Sequence, residues 1–171
     1  MNESTIISAV CSGETEQYAE LVERYQVGLI IYCERLLGDR SDAEDIAQKT
    51  FIKAYEKLPT FRHEKGRYST WLYKIAYNEA VDFLRRSKRS KAVEKIEEIE
   101  PIAPDVLQEE LLREVRDAVL ALVPPEHRRA VEAYYWEGKG YQAIADEMGV
   151  PINTVKSWLR RAKLQLKGAL S

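Results

Sequence analysis

The sequence predicts an all-α fold in which two small helical domains are joined by an acidic linker, with a helix-turn-helix in the C-terminal domain. Apolar residues recur at helical spacing through most of the chain, and no segment shows the alternation of a β-strand. An acidic stretch with two prolines interrupts this pattern and has no apolar stripe that could pack. We therefore expect a first domain over residues 1–91, a linker over 92–108 and a second domain over 109–171.

The charge of the chain is distributed in blocks. The formal net charge of the 171 residues is only −2, but residues 61–91 and 138–171 are basic, while the segments before and between them are acidic. Because cations bind the phosphate backbone, two basic patches on a chain that is acidic overall favour a specific nucleic-acid target over non-specific binding.

Neither export nor membrane insertion is expected. The chain has no run of eighteen apolar residues, and its start lacks the basic and apolar segments of a signal peptide. Cys11 and Cys33 form neither a disulfide framework nor a metal site. We expect each to be a small buried hydrophobic residue in a reducing, cytoplasmic compartment.

The N-terminal part of the chain reads as a series of helices. Residues 4–37 form two, separated near Gly13. A third begins at a capping box made of Ser41 and Glu44 and ends before Pro59.

The third helix has two distinct faces. Its predicted inner face consists of Ala43, Ala47, Thr50, Phe51 and Ala54. Asp45, Gln48 and Ile52 share the opposite face. An exposed Ile between an acid and an amide is typical of a protein-docking surface, although a single exposed Ile is also common on ordinary surfaces.

The next helix is expected over residues 70–87, with Ser69 as its cap. Its predicted inner stripe consists of Leu72, Ile75, Ala76, Glu79 and Phe83. Its outer face consists of Trp71, Lys74, Asn78, Asp82 and Arg85. A Trp on a basic, amide-bearing face suits stacking on an unpaired base, and the cationic run over residues 85–91, which includes Arg86, suits phosphate. The alternative is a core Trp followed by a solvated tail.

The C-terminal part ends in a helix-turn-helix, with two further helices before it. A short helix over residues 141–148 is followed by Gly149, which suits a left-handed cap, and by Pro151, which suits the first turn of the next helix. The second helix has an apolar stripe at the helical period, formed by Val155, Leu159, Ala162 and Leu166.

The outer face of that second helix is polar and basic. It is formed by Asn153, Lys156, Ser157, Arg160 and Arg161. Short polar groups and cations of this kind suit base edges and phosphates when a recognition helix lies in the major groove. The alternative is a solvated face at the end of a small domain, which would not need to be basic.

No catalytic chemistry is indicated. His63 and His127 lie far apart and lack a metal-ligand pattern, and the chain has no glycine-rich phosphate loop. We therefore expect no enzyme activity, no metal and no cofactor.

Three motifs, in order, resemble the extracytoplasmic-function (ECF) group of bacterial RNA polymerase sigma factors, in the sigma-70 family. Residues 42–55 (DAEDIAQKTFIKAY) resemble the group's polymerase-binding helix, residues 69–82 (STWLYKIAYNEAVD) its minus-10 segment, and residues 141–161 its minus-35 reader. The resemblance implies an alternative sigma factor that binds core RNA polymerase, reads both promoter elements and helps melt the DNA. It also implies a sigma region 2 domain over residues 1–91, a linker directed toward the RNA path, and a region 4 domain over residues 109–171.

The resemblance assigns roles to the faces described above. Core polymerase, at the clamp of its largest subunit, would contact Asp45, Gln48 and Ile52. Minus-10 DNA, including a flipped base held near the loop before Trp71, would contact Tyr68, Trp71, Lys74, Asn78, Asp82, Arg85 and Arg86. Minus-35 DNA would contact Asn153, Lys156, Ser157, Arg160 and Arg161. Members of the group are commonly held by an anti-sigma factor, so the resemblance implies that partner as well as polymerase and promoter DNA.

Two positions depart from the group's pattern. Lys49 stands where an acid is common, which would alter the polymerase contact, and Trp158 stands where Arg is common. At Trp158 either a phosphate contact is lost or the ring packs at the edge of the apolar stripe.

Two other classes of protein account for the sequence less well than a sigma factor does. A helix-turn-helix repressor or response-regulator output domain would explain residues 138–167 but not the other two motifs, and it would predict a dimer on a palindromic site. A nucleic-acid-modifying enzyme would need an acid–base or metal cluster, which the sequence lacks.

Overall fold

The computed structural model describes residues 2–87 and 104–170. Every regular element in these residues is helical, so the predicted all-α fold is confirmed. The α-helices are α1 (Glu3–Cys11), α2 (Tyr18–Leu37), α3 (Arg40–Lys57), α4 (Tyr68–Arg86), α5 (Pro104–Ala121), α6 (Arg128–Tyr135), α7 (Tyr141–Met148) and α8 (Ile152–Leu170). Short 3₁₀ turns lie at Thr15–Gln17, Leu58–Thr60, His63–Lys65 and Pro125–His127.

The chain divides into two compact units. The first, called here the helix-turn-helix unit, comprises Met1–Val27 and Arg116–Ser171, and the second, the central unit, comprises Gly28–Val115. Residues 1–27, which the sequence placed with the first domain, are thus grouped with the helix-turn-helix. The boundaries at residues 91 and 109 stay a prediction.

In the central unit, α3 packs on α4 through the face that its sequence predicts. All five residues of the predicted inner face of α3 are buried, and Ile46 is buried among them. On α4, the predicted stripe contains one charged residue, Glu79. Its carboxylate pairs with Lys53 of α3. The ion pair explains how an acid is tolerated between two packed helices.

α2 approaches α4 closely at a glycine. A Cβ at Gly28 would lie 2.4 Å from the hydroxyl oxygen of Tyr73. One helical turn further on, the rings of Tyr32 and Tyr73 meet edge to face with their centroids 5.0 Å apart. Gly28 therefore leaves the space into which the Tyr73 ring extends.

Two predicted helix starts are wrong. α3 begins at Arg40, and its cap is Asp39, whose carboxylate accepts the Asp42 backbone N–H at 2.9 Å. Ser41 is therefore inside the helix, because an Asp two residues earlier already supplies the acceptor. α4 begins at Tyr68 rather than after Ser69, which is itself buried.

The segment between the two predicted domains is only partly described. α5 begins at Pro104, inside the stretch predicted as linker, since a proline is well accommodated in the first turn of a helix. Residues 88–103, which hold most of the predicted linker and the end of the cationic run over residues 85–91, lie outside the described residues.

The helix-turn-helix forms as predicted. α7 ends at Met148 and is capped by Gly149, whose φ of 65° is left-handed, and the next helix begins just after Pro151. The four predicted stripe residues of α8 are all buried. The left-handed glycine explains how the chain reverses between two helices within a few residues.

Candidate polymerase and nucleic-acid interfaces

The outer face of α8 presents the side chains that the sequence assigned to DNA. Five predicted residues are exposed on this helix: Asn153, Lys156, Ser157, Arg160 and Arg161. Because the opposite stripe is buried, the orientation of α8 is fixed by its core contacts. The exposed face therefore has a fixed orientation, and it can offer cations to phosphates and hydrogen bonds to base edges.

Trp158 packs inside the helix-turn-helix unit. Its ring is half-buried, and its centroid lies 5.6 Å from that of His127, which is itself buried. Of the two readings left open for this departure, the structure supports the packed ring. The contact was not visible in the sequence because the two residues are far apart along the chain.

Ion pairs join the start of α6 and the loop that follows this helix to the first helix of the motif. Arg129 Nη1 donates to Glu137 Oε1 at 2.5 Å, and the same guanidinium pairs with Glu147 of α7. Lys139 Nζ lies 2.7 Å from Glu137 Oε2 and also pairs with Glu147. Hydrogen bonds from Arg129 and then Lys139 lower the pKa of Glu137 to about 2. This cluster ties α7 to α6 and to the loop between the two helices.

An aromatic cluster lies at the start of α4. The ring centroid of Phe61 lies 4.7 Å from His63, 5.6 Å from Tyr68 and 5.3 Å from Trp71. Trp71 is half-buried and His63 is exposed. The sequence pointed to Trp71 and to the loop before it, but not to Phe61 or His63, although the concentration of rings over residues 61–71 was a usable signal.

Tyr68 lies inside this cluster. Its side chain is fully buried, with its ring centroid 5.6 Å from that of Trp71. In this conformation Tyr68 supports the exposed part of the cluster and presents no surface of its own.

The remaining minus-10 candidates are exposed on α4: Lys74, Asn78, Asp82, Arg85 and Arg86. All but Arg86 recur at spacings of three or four residues from Trp71, so they follow one face of the helix. The structure thus brings an aromatic edge, an amide and cations together along one surface, which is suited to an unpaired strand with its phosphates.

α3 exposes the predicted docking face. Asp45 and Gln48 are exposed, and 62% of Ile52 is accessible. Tyr55, which the sequence did not single out, is 40% exposed one turn further along the same face. Two neighbouring exposed apolar side chains make this a larger patch than the single Ile suggested.

The cysteine prediction is correct for one residue and wrong for the other. Cys33 is buried, and burial raises the pKa of its thiol to about 12. Cys11, the last residue of α1, is exposed.

The residues that the structure describes contain neither a cluster of metal-ligating side chains nor a membrane-spanning helix. They hold no group of three or more His, Cys, Asp or Glu side chains arranged to bind a metal ion. No helix among them is both long and apolar enough to cross a bilayer.

Two segments of the chain match models of one protein family. The Sigma-70 region 2 model matches residues 21–90, and the Sigma-70 region 4 model matches residues 113–166. The ECF RNA polymerase sigma factor SigW of Bacillus subtilis is 29% identical, with 96% of this chain and 94% of that protein covered. The RNA polymerase sigma-H factor of Pseudomonas aeruginosa is 31% identical, with 96% and 92% covered. Among solved structures, CnrH in complex with the cytosolic domain of CnrY aligns with 97% of this chain and 95% of that one, at 21% identity and a TM-score of 0.42.

Proposed function

Because the chain belongs to the ECF group of sigma-70-family RNA polymerase sigma factors, we propose that it binds core RNA polymerase and directs initiation at promoters whose two elements it reads and helps to melt. In this role it acts in the cytoplasm and is not itself a catalyst. Its partners are core polymerase, promoter DNA and an anti-sigma factor. Residues 1–91 serve as region 2, residues 92–108 as a linker and residues 109–171 as region 4.

The proposal is carried by one observation: all three motif helices expose side chains that suit the partner assigned to each. α3 presents an acid, an amide and an apolar patch centred on Ile52. α4 presents Trp71 and Asn78 together with cations, and α8 presents a basic face above a buried stripe. A repressor would need only the last of these.

Each face then has a defined task. The α3 face, Asp45 with Gln48 and Ile52, docks on the clamp of the largest polymerase subunit. The α4 face holds the separated minus-10 strand, where stacking and edge hydrogen bonds offset the few kcal/mol lost on unstacking a base. The α8 face enters the major groove at minus-35.

Stable association with core polymerase distinguishes this proposal from a repressor. Purified chain and bacterial core polymerase would be mixed and separated by size exclusion. We expect co-elution at one chain per core. A chain that elutes as a free dimer, and binds a palindromic duplex instead, would contradict the proposal.

A further inference from the structure

Trp158 lies at the border between the buried and the exposed sides of α8. At about 100° per residue, it sits about 60° around the helix axis from the buried Val155 and about 60° in the other direction from the exposed Arg161. Its side chain is accordingly half-buried. One part of the indole ring therefore packs inside the helix-turn-helix unit, and the rest remains accessible beside the candidate DNA face.

The packed part of the ring rests on His127. His127 is only 5% exposed, and the two ring centroids lie 5.6 Å apart with an interplanar angle of 31°. His127 ends a 3₁₀ turn that begins with Pro125, and its backbone N–H donates to the Pro124 carbonyl at 2.9 Å. Because each proline fixes its own φ, this turn is a stiff support. The support restricts the indole before any DNA is bound, so less side-chain entropy is lost on binding.

The two edges of the α8 face differ in chemistry. One edge is cationic, because it carries three basic residues at spacings of four and three: Lys156, Arg160 and Lys163. The other edge carries, at the same spacings, Thr154, Trp158 and Arg161. The second edge thus presents an aromatic surface between a hydroxyl and a single cation. This edge is suited to an apolar group on the DNA as well as to phosphate.

The major groove offers one apolar group that identifies a base. Most of the groups that base pairs display there are hydrogen-bond donors and acceptors, but thymine displays its C5-methyl group. A cation on the same edge would instead bind phosphates, which carry no direct sequence information. The accessible part of the Trp158 ring therefore favours a contact that depends on sequence.

We propose that Trp158 is a specificity-determining residue, which packs its accessible edge against the C5-methyl group of one thymine in the upstream duplex while His127 supports the ring from behind. This inference rests on the proposed minus-35 role of α8. The contact complements those of Asn153, Ser157 and Arg160, whose polar groups suit the hydrogen-bonding groups of the base edges. Burial of one methyl group corresponds to about a three- to fivefold change in affinity.

Removal of one methyl group from the DNA tests the contact without altering the protein. The full-length chain bound to core polymerase would first enrich upstream duplexes from a random library. Each thymine of the enriched duplex would then be replaced in turn by 2′-deoxyuridine, which lacks only the C5-methyl group. We expect one position at which this replacement weakens binding about three- to fivefold. The proposal is overturned if no thymine shows a methyl effect, or if the enriched duplex contains no thymine.

A variant assigns the methyl effect to Trp158. Trp158→Arg removes the apolar edge and supplies a cation, so it should bind the thymine and deoxyuridine duplexes equally at that position. Its affinity should also depend more steeply on salt than that of wild type, because the new cation contacts a phosphate. A methyl effect of wild-type size in Trp158→Arg would refute the assignment.

A second tryptophan of the same unit provides the matched control. Trp136 is half-buried and lies outside α8. Trp136→Arg makes the same exchange of residue and charge and should retain the full methyl effect. Circular dichroism checks that both variants are folded, and the deoxyuridine series on the wild-type chain gives its result independently of either variant. Loss of the methyl effect in folded Trp136→Arg as well would contradict a direct contact of Trp158.

The outcomes separate this proposal from the proposed function. If the polymerase-bound chain selects an upstream duplex but no thymine methyl affects binding, Trp158 is excluded as a specificity determinant and the minus-35 role of α8 stands. If the library yields no upstream preference at all, both the Trp158 contact and the minus-35 role are refuted.

Discussion

Arg160 is exposed near the middle of the α8 face, one helical turn from Lys156. We expect Arg160→Ala to weaken binding of the minus-35 duplex by about 1–3 kcal/mol if the side chain contacts a base, and to relax preference at one base position. If it contacts only phosphate, binding should fall uniformly across sequences. Titration of the polymerase-bound chain on a set of single-base variants of the duplex measures both.

A second arginine controls for charge in that experiment. Arg113 is exposed on α5 and lies far from α8 in the sequence. Arg113→Ala removes the same charge as Arg160→Ala but leaves the α8 face intact. Wild-type affinity in Arg160→Ala, or an equal loss in Arg113→Ala, would exclude Arg160 from a specific DNA contact.

Glu137 makes the stability of the helix-turn-helix unit depend on pH. Its pKa is lowered to about 2 from the usual 4.5, so the folded state favours the carboxylate. The stabilisation is therefore present above about pH 4.5 and is lost as the pH falls toward 2. After allowance for solvent screening we expect Glu137→Gln to cost about 1 kcal/mol at pH 7.

Urea denaturation at a series of pH values tests this account of Glu137. The gap between wild type and Glu137→Gln should shrink as the pH is lowered from 5 toward 2. Glu126→Gln, at an exposed acid of the same unit, should change little. A gap that stays constant over this pH range would mean that ionisation of Glu137 is not what stabilises the cluster.

The burial of a single residue could be predicted where helical periodicity determines it. It could not be predicted where it depends on contacts between residues that are distant in the sequence. The stripes of α3 and α8 follow from spacing alone. The burial of Tyr68 and the His127–Trp158 contact depend on which elements come together, and so does the exposure of Cys11. Those facts are set by tertiary contacts that a local pattern does not contain.

At the scale of elements, α3 carries the polymerase prediction. Asp45→Ala with Gln48→Ala should reduce affinity for core polymerase and leave the helical content unchanged, because both side chains face away from the buried side. Competition for core against a labelled sigma factor measures the affinity, and circular dichroism measures the helix.

An acid and an amide outside α3 provide the matched control. Gln17 Nε2 donates to Glu14 Oε2 at 3.3 Å near the N-terminus. Glu14→Ala with Gln17→Ala should compete like wild type. Equal competition by the two double variants would remove Asp45 and Gln48 from the interface.

Helix existence was easier to predict than helix ends. The turn at Gly149 was predicted because only a residue tolerant of positive φ suits that position. The cap of α3 was misplaced because nearby residues offer similar acceptors, whereas α4 begins after Arg67, whose side chain makes no capping hydrogen bond. At α3 the cap is Asp39, whose carboxylate accepts the backbone N–H of Asp42, the third residue of the helix.

For the whole molecule, promoter opening is the step in which the α4 surface should matter most. We expect Asn78→Ala to leave binding to core polymerase and to minus-35 DNA nearly unchanged but to reduce open-complex formation, since the amide is exposed on the same face of α4 as Trp71, on the proposed single-strand surface. Permanganate footprinting on matched and pre-opened templates measures this.

The pre-opened template separates melting from base preference. A mismatched minus-10 bubble should restore much of the opening by Asn78→Ala and leave altered base preference in place. Gln17→Ala, which removes an amide outside α4, should open both templates normally. Wild-type opening of the matched promoter by Asn78→Ala would assign Asn78 to ordinary solvated surface.

The grouping of elements into units was the least predictable feature at this scale. The sequence indicated two domains from a composition change, yet residues 1–27 lie with the helix-turn-helix. That arrangement depends on Arg24 meeting Tyr134 and on Glu23 meeting Lys163, which are contacts between residues more than a hundred positions apart. No local sequence pattern predicts contacts between residues so far apart.

Transcription in vitro from a promoter library, with purified core polymerase and this chain, tests the central claim most directly. The account predicts transcripts that appear only when the chain is added and that begin downstream of a shared pair of sequence elements. It also predicts that Arg160→Ala shifts the upstream element and Asn78→Ala reduces yield. Random starts, or no transcripts above core polymerase alone from any promoter in the library, would contradict it.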